Sequence, residues 1–201
     1  MKQGYAEIVV VLDMSGSMQS MLTEAIGGYN ALLKDQKALP GEATWTLVMF
    51  DHEYIPVVKS AKIQEVPDLD HETYRPRGTT ALLDAIGRTI DDVGKRISEM
   101  SEDHRPEKVL LAILTDGMEN ASKDYSSTHV KEMIKHQEEK YGWTIRFLAT
   151  SLDATNYAAS QNGLGMNQKS VTYNASYASL ASGLREEFSR SRSAGGRNEP
   201  S

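Results

Sequence analysis

Six positions in this sequence hold side chains that could do chemistry together. "VVLDMSGSM" (10–18) ends an apolar run on one carboxylate, Asp13, and follows it with two hydroxyls, Ser15 and Ser17. "LLAILTDG" (110–117) ends a second apolar run on Asp116, and "RGTT" (77–80) offers Thr79 and Thr80. Every one of these groups is an oxygen donor. Oxygen-only sets suit hard cations, magnesium first, with manganese or calcium as alternatives. Magnesium wants six ligands and keeps several waters. Two carboxylates and up to three neutral hydroxyls would leave such an ion partly uncompensated and partly open. A carboxylate from another molecule would then complete the shell.

Residues this far apart meet only if the elements carrying them end on one edge. "AEIVVVLD" (6–13) is a continuous valine-rich run, the pattern of a strand buried on both faces. "KVLLAILTDG" (108–117) and "WTIRFLATS" (143–151) read the same way, and "QKSVTYN" (168–174) is a weaker strand. "TWTLVMF" (44–50) and "YIPVVK" (54–59) are joined by "DHE" (51–53), short enough for an antiparallel hairpin, and Pro56 makes the second an edge strand. Apolar positions at helical spacing predict helices over 21–39, 81–100, 126–142, 154–163 and 176–192. Buried strands alternating with helices predict an α/β fold: a doubly wound, Rossmann-like, mostly parallel six-stranded sheet with one antiparallel edge strand and helices on both faces. Ligands of such sheets bind at the carboxyl ends of the strands. Asp13, Ser15, Ser17, Asp116 and the threonine loop all fall there. Residues 1–192 read as a single domain, and "SAGGRNEPS" (193–201) as a disordered tail.

Composition removes several classes of function. The 201 residues contain no cysteine, which excludes disulfides, thiolate metal sites and cysteine nucleophiles. The formal charge of −6 argues against nucleic acid, whose partners usually carry a basic face, and the arginines of "REEFSRSRSAGGR" (185–197) are interrupted by acidic and neutral residues. No apolar stretch approaches membrane-spanning length and no leader pattern is present, so the expected location is the cytoplasm. Histidines 52, 71, 104, 129 and 136 fall in polar or loop contexts and form no ligand pattern. Asp51, His52 and Glu53 read as an ordinary polar hairpin, one that would still lie on the metal face and could touch a partner.

The motifs resemble a known family. "DMSGS" (13–17) matches the D-x-S-x-S motif of von Willebrand factor A (vWA) domains. "RGTTALLDAI" (77–86) looks like that family's threonine loop and following helix, and "ILTDG" (113–117) like its distal aspartate. The three come in family order on predicted strand ends, and the likeness spans roughly residues 5–190. "LTDGMENAS" (114–122) and "KYGWTIRFLAT" (140–150) resemble small stand-alone vWA proteins of bacteria and their phages. The resemblance implies a metal-ion-dependent adhesion site (MIDAS) holding Mg2+ through Asp13, Ser15, Ser17 and a threonine, with Asp116 acting directly or through water. Thr80 takes the threonine role, with Thr79 as the alternative, because Ala85 and Ile86 lie five and six residues beyond it as in the family. The implied function is binding a protein that supplies a Glu or Asp, and the implied setting includes AAA+ ATPase systems.

Simpler readings compete. Ser15 or Ser17 could cap the following helix, and Thr79 or Thr80 the helix at 81–100. Asp116-Gly117 is a common turn pair. Capping explains one serine but not the pair plus Asp13. The runner-up function is a metal-dependent phosphohydrolase using Asp13 as nucleophile. Such enzymes use D-x-D, whereas position 15 is serine, and no G-x-S-x-G elbow serves a serine hydrolase.

Overall fold

The structure, a computed structural model, describes residues 1–161, 163–174 and 176–193. In chain order the elements are β1 (Lys2–Asp13), α1 (Leu22–Ala38), β2 (Glu42–Phe50), β3 (Tyr54–Lys62), α2 (Leu82–Glu99), β4 (Pro106–Thr115), α3 (Ser127–Tyr141), β5 (Thr144–Ala149), α4 (Leu152–Ala159), β6 (Val171–Tyr173) and α5 (Tyr177–Ser193). One six-stranded sheet runs in the order β3-β2-β1-β4-β5-β6. All pairings are parallel except β2 with β3. The predicted architecture is therefore present, including the antiparallel edge strand. Pro56 sits on that edge, opposite Val48 at a register shift, where its missing N–H costs no interior ladder bond.

The run "IVVVL" explains why β1 is central. Its side chains alternate between two apolar layers. Ile8, Val10 and Leu12 join Tyr29, Leu32 and Leu33 of α1 and Leu180, Leu184 and Phe188 of α5. Val9 and Val11 join Leu82, Ile86 and Ile90 of α2, Val130 and Ile134 of α3, and Ala154 and Ala158 of α4. Both faces are covered, so neither could carry polar residues without partners.

Glu7 interrupts this run and is buried all the same. Its carboxylate accepts from Thr46 Oγ1 at 2.7 Å, Ser60 Oγ at 2.9 Å and Thr44 Oγ1, and pairs with Arg96 of α2 at 3.1 Å. The network reaches onto β3, whose Ser60 adopts a left-handed φ of 46°. A buried acid among apolar neighbours is tolerated here because an arginine and three hydroxyls meet it.

Boundaries differ from expectation at several elements, three of them near the helices. A short 3-10 turn, Gly16–Met21, precedes α1. Helix α4 stops at Ala159 with Ser160 as its C-cap, short of the predicted end at 163. Helix α5 continues through Ser193, one residue into the predicted tail, and 194–201 lie outside the described residues.

Candidate metal centre

The parallel register brings the singled-out residues to one edge. Asp13 ends β1 opposite Phe50 of β2, and its neighbour Leu12 pairs with Leu114 of β4, so Asp116 emerges beside it. Ser15 N–H donates to Asp13 Oδ1 at 2.7 Å. The Ser15 and Ser17 hydroxyls stand 3.2 Å apart, and Ser17 donates to Asp116 Oδ1 at 2.7 Å. Four of the residues are thus joined in one hydrogen-bonded chain. Thr80 is buried and Thr79 exposed. A Cβ added at Gly117 would stand 3.3 Å from Thr80 Oγ1 and 3.8 Å from Asp13 Oδ2. Gly117 thus leaves open a space that borders both oxygens.

Backbone bonds tie the loops together. Met14 N–H donates to the Phe50 carbonyl at 2.6 Å, Arg77 N–H to the Met14 carbonyl at 2.8 Å, and Gly16 N–H to the Gly78 carbonyl at 3.2 Å. Gly78 has a φ of 69°, the left-handed conformation that glycine adopts without penalty. The Tyr74 hydroxyl donates to the Asp13 carbonyl.

The capping alternatives find no support in these hydrogen bonds. Ser15 is the N-cap of the 3-10 turn and Met21 that of α1, and neither makes a side-chain cap bond. Helix α2 has Ala81 at its N-cap, so neither Thr79 nor Thr80 caps it. The hydroxyls are left for other roles.

Electrostatics sets Asp13 apart. Glu7, Asp13 and Asp51 are each 0% exposed. Glu7 has Arg96, and Asp51 has Arg77, whose Nε lies 2.8 Å away. Among the described residues neither Asp13 nor Asp116 forms an ion pair, and Asp13 is met only by the hydroxyl of Thr115 and the serine loop. Burial accordingly pushes the Asp13 carboxyl up to about 6, the donors pull it back in part, and Asp116 adds repulsion. Burial also raises Asp116, against the hydrogen bond from Ser17. Two neighbouring carboxylates that resist ionisation, ringed by hydroxyls and without a cationic side chain, have the donor chemistry that a hard divalent cation requires.

Two features escaped the sequence reading. Thr115 looked like one more strand residue, yet its hydroxyl donates to Asp13 Oδ2. His52 is exposed as expected, yet Asp51, His52 and Glu53 form a cluster whose ligand-capable atoms all lie within 4.8 Å of one another. That cluster is on the same sheet edge. It already has a cation: Arg77 bonds Asp51 Oδ2 at 2.8 Å and Glu53 Oε2 at 2.6 Å. The oxygen set around Asp13 lacks one, and is the stronger candidate.

Comparison with solved structures follows the fold. Proximal thread matrix protein 1 from the mussel byssus, in a form with a zinc-occupied MIDAS motif, matches 94% of this chain at 16% identity and a TM-score of 0.60. The pilus adhesin SpaC of Lactobacillus rhamnosus GG matches 96% at 16% identity and a TM-score of 0.69. The fold is vWA-like. The vWF domain of a type V pili tip protein from Porphyromonas gingivalis matches 100% of the chain at 13% identity and a TM-score of 0.67. This vWA-like chain spans 46% of the byssal protein and 31% of the pilus adhesin, but 99% of the pili tip domain. No family model matches the sequence, and no curated protein does. Among the described residues no helix is long and apolar enough to cross a membrane.

Proposed function

We propose that this chain is a metal-dependent protein-binding module, with residues 1–192 as its working domain. Asp13, Ser15, Ser17 and Thr80 would hold a divalent cation, magnesium first, with Asp116 reaching it directly or through water. The cation supplies positive charge that attracts an acidic side chain of a partner protein. One observation carries this reading: of the three fully buried carboxylates among the described residues, two have an arginine and Asp13 has none. The all-oxygen donor set supports a hard ion. Two proteins of similar fold carry metal, the byssal protein with its zinc-occupied MIDAS motif and a manganese-loaded Plasmodium vivax TRAP protein, and this supports the metal reading.

The chain's own residues have distinct tasks. Asp13 and Asp116 provide the negative charge, and Asp13 is held by Thr115 and the Ser15 amide. Ser15 and Ser17 turn two hydroxyls to one point. The loops at 51–54, 75–79 and 117–125 surround the site and would set which partner fits. The partner's identity, including an AAA+ ATPase system, is a question for capture experiments.

The test is calorimetric titration with Mg2+ and Mn2+, on the wild type and Asp13→Ala. Binding by the wild type alone is expected, with partner capture lost in chelator. Titrations that do not distinguish the two proteins would overturn the reading. Metal-dependent phosphoester turnover abolished by Asp13→Asn would replace it with the hydrolase.

A further inference from the structure

The segment after Gly117, "MENASKDY" (118–125), supplies none of the proposed ligands. It lies against the start of α2, and the two exchange hydrogen bonds in both directions. Asn120 Oδ1 accepts from Thr80 N–H at 2.9 Å, and Asn120 N–H donates to the Thr80 carbonyl at 3.0 Å. Glu119 Oε2 accepts from Leu83 N–H at 2.9 Å, while Oε1 accepts from Ala121 and Ser122 N–H at 2.9 and 2.7 Å. Ser122 Oγ accepts from Asp84 N–H at 3.1 Å and donates to Glu119 at 2.6 Å. In return the Asp84 carboxylate accepts from the N–H groups of Lys123, Asp124 and Tyr125, each at 2.9 Å.

Helix α2 needs this help. The first N–H groups of a helix have no partner within it and are usually met by a local cap. Ala81 offers no side-chain oxygen. Glu119 and Ser122 do the capping instead, from 36 and 38 residues downstream. The acidic charge also faces the positive end of the helix dipole. Thr80 immediately precedes the N-cap Ala81, and Asn120 bonds both its N–H and its carbonyl. Asp116 lies three residues before Glu119 in the same loop.

We propose that Glu119 and Asn120 are positioning residues of the metal centre. They hold Thr80 and Asp116 as one rigid unit and so set the affinity for the cation without touching it. A neutral hydroxyl is a weak ligand whose worth depends on where it is held, so its supports matter. The inference rests on the reading of Asp13, Ser15, Ser17, Thr80 and Asp116 as the metal site.

Mg2+ and Mn2+ titrations of the wild type, Asp13→Ala, Glu119→Ala, Glu119→Gln and Asn120→Ala test it, alongside melting temperatures in chelator and amide exchange at residues 80–84. Outer-shell substitutions commonly cost metal affinity about 10- to 100-fold. Glu119→Ala and Asn120→Ala should weaken binding by that factor while remaining folded in chelator, with faster exchange at Thr80, Leu83 and Asp84. Glu119→Gln, which keeps one acceptor oxygen, should recover part of the loss and remains informative if the alanine variants fail to fold. Wild-type affinity in all three, with Asp13→Ala inactive, would overturn the positioning role and leave the site reading intact. Equal titrations of wild type and Asp13→Ala would overturn the site reading, and the positioning role with it.

Discussion

Thr115, the last residue of β4, donates its hydroxyl to Asp13 Oδ2 at the end of the neighbouring strand, so two adjacent strand ends are joined by their side chains at the candidate site. This donor favours the ionised form of a carboxyl that burial pushes the other way. Thr115→Val keeps the shape and removes the donor. The Asp13 carboxyl should then rise above about 6, and the pH at which Mg2+ binding is half lost should rise with it. Thr115→Ser should stay near the wild type. Calorimetric titrations from pH 5.5 to 8 (roughly the span over which such a carboxyl titrates) check this.

The same carboxyl makes the metal-free protein sensitive to pH. Its folded value, about 6, exceeds the ordinary 3.8, so between those values the folded chain binds more protons than the unfolded one. Stability from this group is therefore greatest below 3.8 and is lost as pH rises through about 6. The loss is about 3 kcal/mol, and Asp116, raised in the same sense, adds to it. A bound cation offsets this cost only once the carboxylates ionise. The stabilisation by Mg2+ should therefore be larger at pH 7.5 than at pH 5. Thermal melts in magnesium and in chelator measure it, and an equal shift at both pH values would contradict it.

Asp13→Asn should separate stability from function. It removes an unpaired buried charge while keeping an oxygen that can accept from Thr115. In chelator at pH 7.5 the variant should be about 1–3 kcal/mol more stable than the wild type, which for this size is a few degrees in Tm. Its Mg2+ response should vanish.

Arg77→Ala should do the reverse at the neighbouring cluster. Asp51 is buried, and Arg77 serves both it and Glu53. Arg77 is itself half exposed, so solvent screens part of the pair. A loss of about 1–3 kcal/mol is expected, read as a fall in denaturant midpoint.

Gly87→Ala probes the packing under the 118–125 segment. A Cβ there would lie 2.2 Å from the Tyr125 ring, so the ring must move. The cost should be about 1–3 kcal/mol, and adding Tyr125→Ala should remove much of it. Additive single and double variants would show that the two do not meet.

Local patterns made much of this legible. The run at 6–13 and its counterpart at 108–117 read as buried strands because both faces of the central strands are apolar, and strand ends then placed Asp13 and Asp116 together. What escaped depends on residues distant in sequence. Glu7 looked like an interruption, although a charge in a strand buried on both faces demands a partner, and Arg96 lies 89 positions on. Glu119 looked like a loop residue because caps are sought next to the helix they serve. Helix α4 ended early because Ser160, not Gly163, closes it.

The downstream capping of α2 has a consequence for assembly order. A chain emerging from its N-terminus presents Thr80 and an α2 whose first turn lacks Glu119 and Ser122 until β4 has been made and laid beside β1. The loop that carries Thr80 thus acquires its final shape only once the 118–125 segment has docked against it. A truncation between residues 116 and 119 leaves the strands β1, β2 and β4 complete but the threonine loop without Asn120 to anchor it.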